Sequence, residues 1–421
     1  MTEDAGPDGV PQAEPPIRDA RAFHGLVTVR TFGAFADSAM LPFIILWARH
    51  DVGLSGAIAG LLFLAQALGE LAGGLAGGLL ADRLGHRRVL LISTAGMAIG
   101  YGSLFAIRQP AIALAAFFVA GLFESAFHPT IAALVADLRA GPDLHRSYGK
   151  VRVGANLGNI GGPLIGAVAV TASLSTVFAV TGAFLVVALV VIGITIPPDR
   201  VLVETPGDYE PEVKPSSLRT LFRDRRLGLL VASGGLLAIT FTWFEADGLV
   251  LLREQGPLST TGYGVLFAIA AAATVAFQLP STRLARRWSP SKLLFLGAVV
   301  QGLGLMALAG ASSGYVILIA AVLLMALGQM FYSPTVSTFI SRMAAPGRAA
   351  TYQAAISTTE DIGSAIGPTT GLALGGLGIS RFVWLLAGPL CLLAALGNAR
   401  ATRDPVARPT TTPASPLQGE G

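Results

Sequence analysis

The residues able to do chemistry in this chain are a few ionisable side chains stranded in long apolar runs. Glu124 stands in AGLFESAFHPT, Asp37 in FGAFADSAMLP, Glu360 and Asp361 in STTEDIGSAIG, and Glu70 in ALGELAGG. Glu245 and Asp247 sit in TWFEADGLV, while Arg30, Arg152 and His128 are the bases in comparable surroundings. A charge at the middle of a membrane is expensive, so such residues mark a solute pathway or a proton site. A carboxyl in an apolar cavity can load and release a proton. Glu124 is the first choice for that role and Asp37 the second, with Glu360, Asp361 and Glu245 behind them. Arg30 precedes Asp37 by seven residues, two turns down one helix face, so an Arg30–Asp37 pair is an equal alternative. Arg152 needs a buried anionic partner, for which Glu124 is one candidate, or an anionic substrate. His128 lies one turn from Glu124, either extending a proton relay or packing between helices.

These residues need elements that hold them inside a membrane. The chain has 421 residues, of which 53% are hydrophobic and only 13% charged. A soluble protein would carry about 25% charged residues, so too little polar surface remains to cover a water-facing globule. The composition therefore predicts an all-α protein spanning the lipid bilayer many times. The 51 glycines suit closely packed membrane helices. The net charge of +4 is spread over loops and does not form a nucleic-acid patch. Cys391 is the only cysteine, which excludes an intrachain disulfide and a thiol-rich metal site. No phosphate-cradling loop, zinc spacing or nucleophile elbow occurs, so neither an enzyme nor an ATP-driven pump is expected, and neither cofactor nor metal.

Twelve apolar stretches reach spanning length. They run near 22–48, 54–80, 88–107, 111–137, 147–170 and 173–196, then near 227–252, 260–284, 290–310, 314–341, 348–372 and 378–399. Residues 1–21 and 400–421 read as disordered tails, residues 22–196 and 227–399 as two six-helix lobes, and residues 197–226 as a polar linker. Of the 29 Lys and Arg, only Arg49, Arg108, Arg253 and Arg381 fall in odd-numbered loops, and Arg30 and Arg152 fall within spans. All the others lie in the tails and even-numbered loops, which predicts cytoplasmic termini and a cytoplasmic linker. The lobes also repeat. Gly158, Gly162, Pro163 and Gly166 match Gly363, Gly367, Pro368 and Gly371 at a constant offset, and Phe127-His128-Pro129-Thr130 matches Tyr332-Ser333-Pro334-Thr335. A degenerate copy of Gly78–Arg88 follows at Gln278–Trp288, where Thr282 replaces Asp82. Three matches in order imply a duplicated six-helix unit.

The stretch GLLADRLGHRR, Gly78 to Arg88, resembles the loop 2–3 signature of the major facilitator superfamily. The run Gly158-x-x-x-Gly162-Pro163-x-x-Gly166 resembles the helix 5 signature of its drug:proton antiporter branch. The resemblance covers nearly all of residues 22–400 and implies two pseudo-symmetric six-helix bundles that work by alternating access. It also implies that Asp82 faces the start of helix 11, that Arg83, Arg87 and Arg88 pair with Asp137, and that Gly85 makes the tight turn. Together these would form a gate on the cytoplasmic side. The cluster serving membrane topology alone is the plainer alternative. The family's helix 4 arginine falls here at Phe117, so an arginine-assisted proton step on that helix is not carried over. Helices 1, 4, 7 and 10 line the cavity in the superfamily. That favours Asp37, Glu124 and Glu245, with Gln329 at the repeat position of Glu124.

Further cavity candidates are Arg30, Phe123, Phe127, His128, Arg152, Asn156, Trp243, Gln329 and Tyr332. Acids outnumber bases at mid-depth and aromatics accompany them, which suits a lipophilic neutral or cationic molecule. The expected function is proton-coupled export of small lipophilic or drug-like molecules by a monomer in a bacterial plasma membrane. The alternative is uptake of a sugar, amino acid or organic anion.

Overall fold

The computed structural model describes residues 20–54, 56–138, 144–198, 225–253, 255, 258–285, 287–343, 349–378 and 380–403. Within these, side chains at 75–83, 136–137, 144–146, 278–285, 341–342, 349–358 and 360 are outside the description. The expected tails and linker therefore lie almost wholly outside the described residues, as do the side chains of Asp82, Arg83, Asp137 and Glu360 and the surroundings of Gly78.

Every described element is helical. In the first half α1 (Ala20–Met40) passes through a 3-10 turn (Leu41–Phe43) into α2 (Ile44–His50). Then come α3 (Ala57–Leu84), α4 (His86–Ser103), α5 (Pro110–Leu138), α6 (Leu144–Ala169) and α7 (Thr176–Thr195). In the second half α8 (Arg225–Glu245) is followed after a two-residue break by α9 (Gly248–Arg253). The remainder are α10 (Thr260–Ala285), α11 (Pro290–Ala307), α12 (Tyr315–Met343), α13 (Ala349–Gly375) and α14 (Ser380–Ala401). Nine stretches are long and apolar enough to cross a membrane among the described residues. α4 and α6, outside that set, open on the basic turns HRRV and LHRSYGKVR.

Pro42 lies in the 3-10 turn that separates α1 from α2, where a missing backbone donor costs least. Gly85 separates α3 from α4 with φ 85°, a left-handed conformation that favours glycine. Immediately after it, Arg87 donates from Nε to the Ile196 carbonyl at 2.7 Å and from its guanidinium to Gly193 at 3.0 Å. It thus caps the carbonyl end of α7, where a cation also meets a favourable helix dipole.

The two halves pack alike. In the first, α1 lies on α6 and α7, α4 on α5 and α7, and α3 on α5. In the second, α8 lies on α13 and α14, α11 on α12 and α14, and α10 on α12. The glycine runs explain the closest of these pairs. Gly158, Gly162 and Gly166 of α6 face Ala34, Ser38 and Ala39 of α1, while Gly363, Gly367 and Gly371 of α13 face Ala238, Thr242 and Trp243 of α8. The Ser38 hydroxyl donates across the first seam to the Gly158 carbonyl at 3.1 Å. With no Cβ in the way, backbones approach and dispersion contacts replace the hydrophobic drive that lipid does not supply. Gly69 and Gly73 of α3 do the same against Phe118 and Leu122 of α5.

Between the halves, α3 meets α13 and α6 meets α10. Among the described residues, close approaches between the halves fall at the end of the molecule where α2 ends and α3 begins. A methyl group on Gly60 would sit 2.5 Å from the Thr369 nitrogen, and one on Gly264 would sit 2.6 Å from Ala167 Cβ. α9 touches α2 at the same end. Two cavities occupy the seam beyond these contacts.

Candidate transport site

Glu124 is carried to the interior by α5, with α3 and α4 on either side. The Tyr101 hydroxyl of α4 donates to Glu124 Oε2 at 2.6 Å. The Gln66 amide of α3 donates to the same oxygen at 3.2 Å and to Glu70 Oε1 at 3.0 Å. One Nε2 has two N–H groups, so Gln66 can serve both carboxyls at once. α1 closes the group: ligand atoms of Asp37, Glu124 and His128 lie within 4.8 Å of one another. Arg30 of α1 is within electrostatic reach of Asp37, Glu124 and His128. One Arg30 guanidinium nitrogen and the Asp37 Oδ1 are shielded from solvent without a hydrogen-bond partner. Arg30 and Asp37 thus belong to a shared cluster of charges and not to an isolated pair.

Phe117, at the position of the superfamily's helix 4 arginine, is fully buried and holds the Tyr101 ring edge-on at 6.0 Å. Two neutral donors, Tyr101 and Gln66, therefore hold Glu124, and Phe117 stands where an arginine from its own helix would be.

Two cavities meet at this cluster. The smaller, about 280 Å³, lies between the halves and is lined by Asp37, Asn156, Asn159, Glu245 and Gln329 with the apolar side chains of α8, α10 and α12. Phe244 and Phe267 stack in its wall at 5.4 Å with ring planes 7° apart. The larger, about 830 Å³, is a slot between α3 and α13 lined by Glu70, Glu124, His128 and Asp361 among leucines and isoleucines. Asp37 faces the first cavity and belongs, with Glu124 and His128, to the cluster that borders the second.

The other sequence candidates are placed differently. The Phe123 ring packs over Gly96, and Phe127 is fully buried against Gly33. Trp243 donates to Thr370 at 3.1 Å, tying α8 to α13, and Tyr332 is buried beside Gly234 and Gly297. Arg152 is exposed on α6. None of these five lines either cavity. Gln66, Tyr101 and Asn159 are the residues that sequence reasoning missed. Gln66 had a signal, an amide one turn before Glu70 in an apolar helix; Tyr101 had none, because only tertiary contact brings α4 to Glu124.

The family profile of the Major Facilitator Superfamily matches residues 27–368 and again 249–419, so the chain belongs to that superfamily. It is a multi-pass membrane transporter and not an enzyme. Among its relatives, the uncharacterized MFS-type transporter YqjV of Bacillus subtilis is 25% identical over 376 residues, covering 86% of this chain and 89% of the relative. The class C tetracycline resistance protein of Escherichia coli is 25% identical over 391 residues, covering 88% and 93%. A Na(+), Li(+), K(+)/H(+) antiporter of Planococcus maritimus is 26% identical over 368 residues, covering 78% and 84%. The crystal structure of the nucleoside transporter NupG superposes with a TM-score of 0.79 at 13% identity, over 91% of this chain and 100% of that one, which shows a shared fold.

Proposed function

We propose that the chain is a proton-coupled exporter of small lipophilic cations. The cavity between the halves takes the substrate, and the cluster around Glu124 takes the proton. The observation that carries this reading is the double placement of Asp37, in the wall of the substrate cavity and within 4.8 Å of Glu124 and His128. A cation against Asp37 and a proton on the Asp37–Glu124 pair would neutralise the same buried charge, so each disfavours the other. Exchange of one for the other is antiport. Asp37 and Glu245 supply anionic partners, the Phe244–Phe267 stack an aromatic surface, and Asn156, Asn159 and Gln329 neutral polar contacts. Arg30 supplies the cation that the superfamily's helix 4 arginine would otherwise bring. Relatives that confer tetracycline resistance or exchange alkali cations for protons are compatible with both halves of the reading.

Twelve spans, cytoplasmic termini and a gate at Asp82, Arg83 and Asp137 complete the reading, the two halves rocking about the central site. Inside-out vesicles with an acid lumen test it. Tetraphenylphosphonium, a lipophilic cation, should release luminal protons when added, and Glu124→Gln should abolish that release at unchanged expression. Proton release retained by the variant removes Glu124 from the coupling step. Accumulation of a sugar, amino acid or organic anion by intact cells would favour import instead.

A further inference from the structure

We propose that Asp37, Glu124 and His128 form a binding site for a divalent transition metal ion of the zinc(II) and cobalt(II) class. The proposal goes beyond the export reading, since this binding needs neither a second substrate nor a proton gradient. Glu124 and His128 stand one turn apart on α5, the spacing that sets two ligands on one helix face. α1 brings Asp37 to them, and one ligand atom of each lies within 4.8 Å of the others. Atoms bound to such an ion at about 2.0–2.2 Å sit roughly 3–4 Å apart, so a modest turn of the side chains closes the set. No spacing within the sequence shows the site, because Asp37 joins it only where α1 meets α5.

The carboxylates are prepared for a cation. Asp37 Oδ1 is shielded from solvent and accepts no hydrogen bond, although Arg30 is within electrostatic reach and one of its own nitrogens lacks a partner too. A cluster that served packing alone would close that bond. Tyr101 and Gln66 both donate to Glu124 Oε2, which orients the carboxyl and leaves Oε1 to face an ion. Glu70, held by the same Gln66 amide, adds a third acid within electrostatic reach of Asp37 and Glu124. Three carboxylates against one guanidinium leave two negative charges beside a neutral imidazole, and one divalent cation cancels them.

The donor set selects the ion. An imidazole with two carboxylates suits zinc(II) or cobalt(II), whereas magnesium and calcium take oxygen ligands. Asp37 also faces the cavity between the halves, which gives the ion an approach.

The test uses the full chain in detergent, free of any histidine tag, with cobalt(II) as the probe. One ion per chain should bind, with the strong visible absorption of a four- or five-coordinate site and not the faint colour of the hydrated ion. His128→Gln, Asp37→Asn and Glu124→Gln should each weaken binding at least tenfold. His24→Gln, which removes an exposed histidine at the start of α1, should leave it within twofold. His128→Cys should bring in a thiolate-to-cobalt charge-transfer band in the near ultraviolet, a gain of signal that a misfolded chain would not give. A roughly thousandfold excess of magnesium should displace none of the cobalt. Binding that survives in all three variants places the ion elsewhere and overturns the site. Displacement by magnesium overturns it too, as does a His128→Cys chain without the new band. An unmodified chain that binds no cobalt also overturns it, and leaves the export reading to be decided by tetraphenylphosphonium-driven proton release.

Discussion

Around Glu124 the decisive groups are the two donors that hold its Oε2, Tyr101 at 2.6 Å and Gln66 at 3.2 Å. Hydrogen bonds to a charged group contribute about 1.5–3 kcal/mol each. Tyr101→Phe keeps the buried ring and removes only the hydroxyl, so the fold should survive while proton-coupled transport falls about tenfold, measured as proton release in vesicles. Wild-type rates in that variant would show that Tyr101 supports packing alone. Asp37 and Glu245 share the central cavity, yet only Asp37 also reaches Glu124 and His128. Glu245→Gln should therefore weaken tetraphenylphosphonium binding about tenfold with stoichiometric proton release intact. Asp37→Asn should lose binding and proton release together. Equal behaviour of the two variants would remove Asp37 from its coupling role.

Among the helices, stability depends on which glycine of a pair faces a neighbour. Gly73 and Gly74 are adjacent in α3, but a Cβ on Gly73 would overlap the Leu122 carbonyl and Ser125 of α5, whereas one on Gly74 meets nothing within 4 Å. Overpacking a tight seam costs about 1–3 kcal/mol. Gly73→Ala should lower the unfolding temperature in detergent by several degrees and Gly74→Ala should leave it unchanged, a contrast that a thermal melt reads directly. Gly162 faces Ser38 and the Ala39 nitrogen of α1 in the same manner, so Gly162→Leu should force α1 and α6 apart and reduce the folded yield. The repeat made such seams visible in the sequence as glycines four apart. It did not say which helix each face would meet. Gly158–Gly166 turned out to pack on α1 within one half, while Pro163 and Ala167 meet Gly264 of α10 in the other.

Across the whole molecule, the two halves touch near Gly60–Thr369 and Gly264–Ala167 and enclose cavities further along the same seam. Alternating access requires those contacts to form in one state and part in another. Gly60→Val would thrust a branched side chain into the backbone of α13 and hold that end apart. Transport should stop while expression and insertion continue, and a cysteine introduced near residue 60 should become reactive to a water-soluble maleimide. A variant that still transports at the normal rate would mean that this end does not need to close. Asp82→Asn addresses the other end of the same cycle: retained surface level with lost transport supports a gate, and full transport leaves the cluster as a topology signal.

Sequence by itself determined the class of this protein, because class follows from quantities local to the chain. Low charge and long apolar runs demand a membrane, glycines spaced by four demand close helices, and the Gly78–Arg88 and Gly158–Gly166 motifs point to one superfamily. The acids could likewise be picked out, since a carboxyl in an apolar run is conspicuous without any knowledge of its neighbours. Tertiary structure alone decided how those acids are used. Helical rotation and the meeting of α1, α3, α4 and α5 set Tyr101 and Gln66 on Glu124, brought Asp37 beside it, and left Phe127, Trp243 and Arg152 away from both cavities. Those placements depend on contacts between residues far apart in the chain, 58 positions in the Gln66–Glu124 bond, and on which side of each helix packs inward. An apolar helix in lipid carries little sequence signal for that orientation, because lipid-facing and partner-facing surfaces are equally hydrophobic.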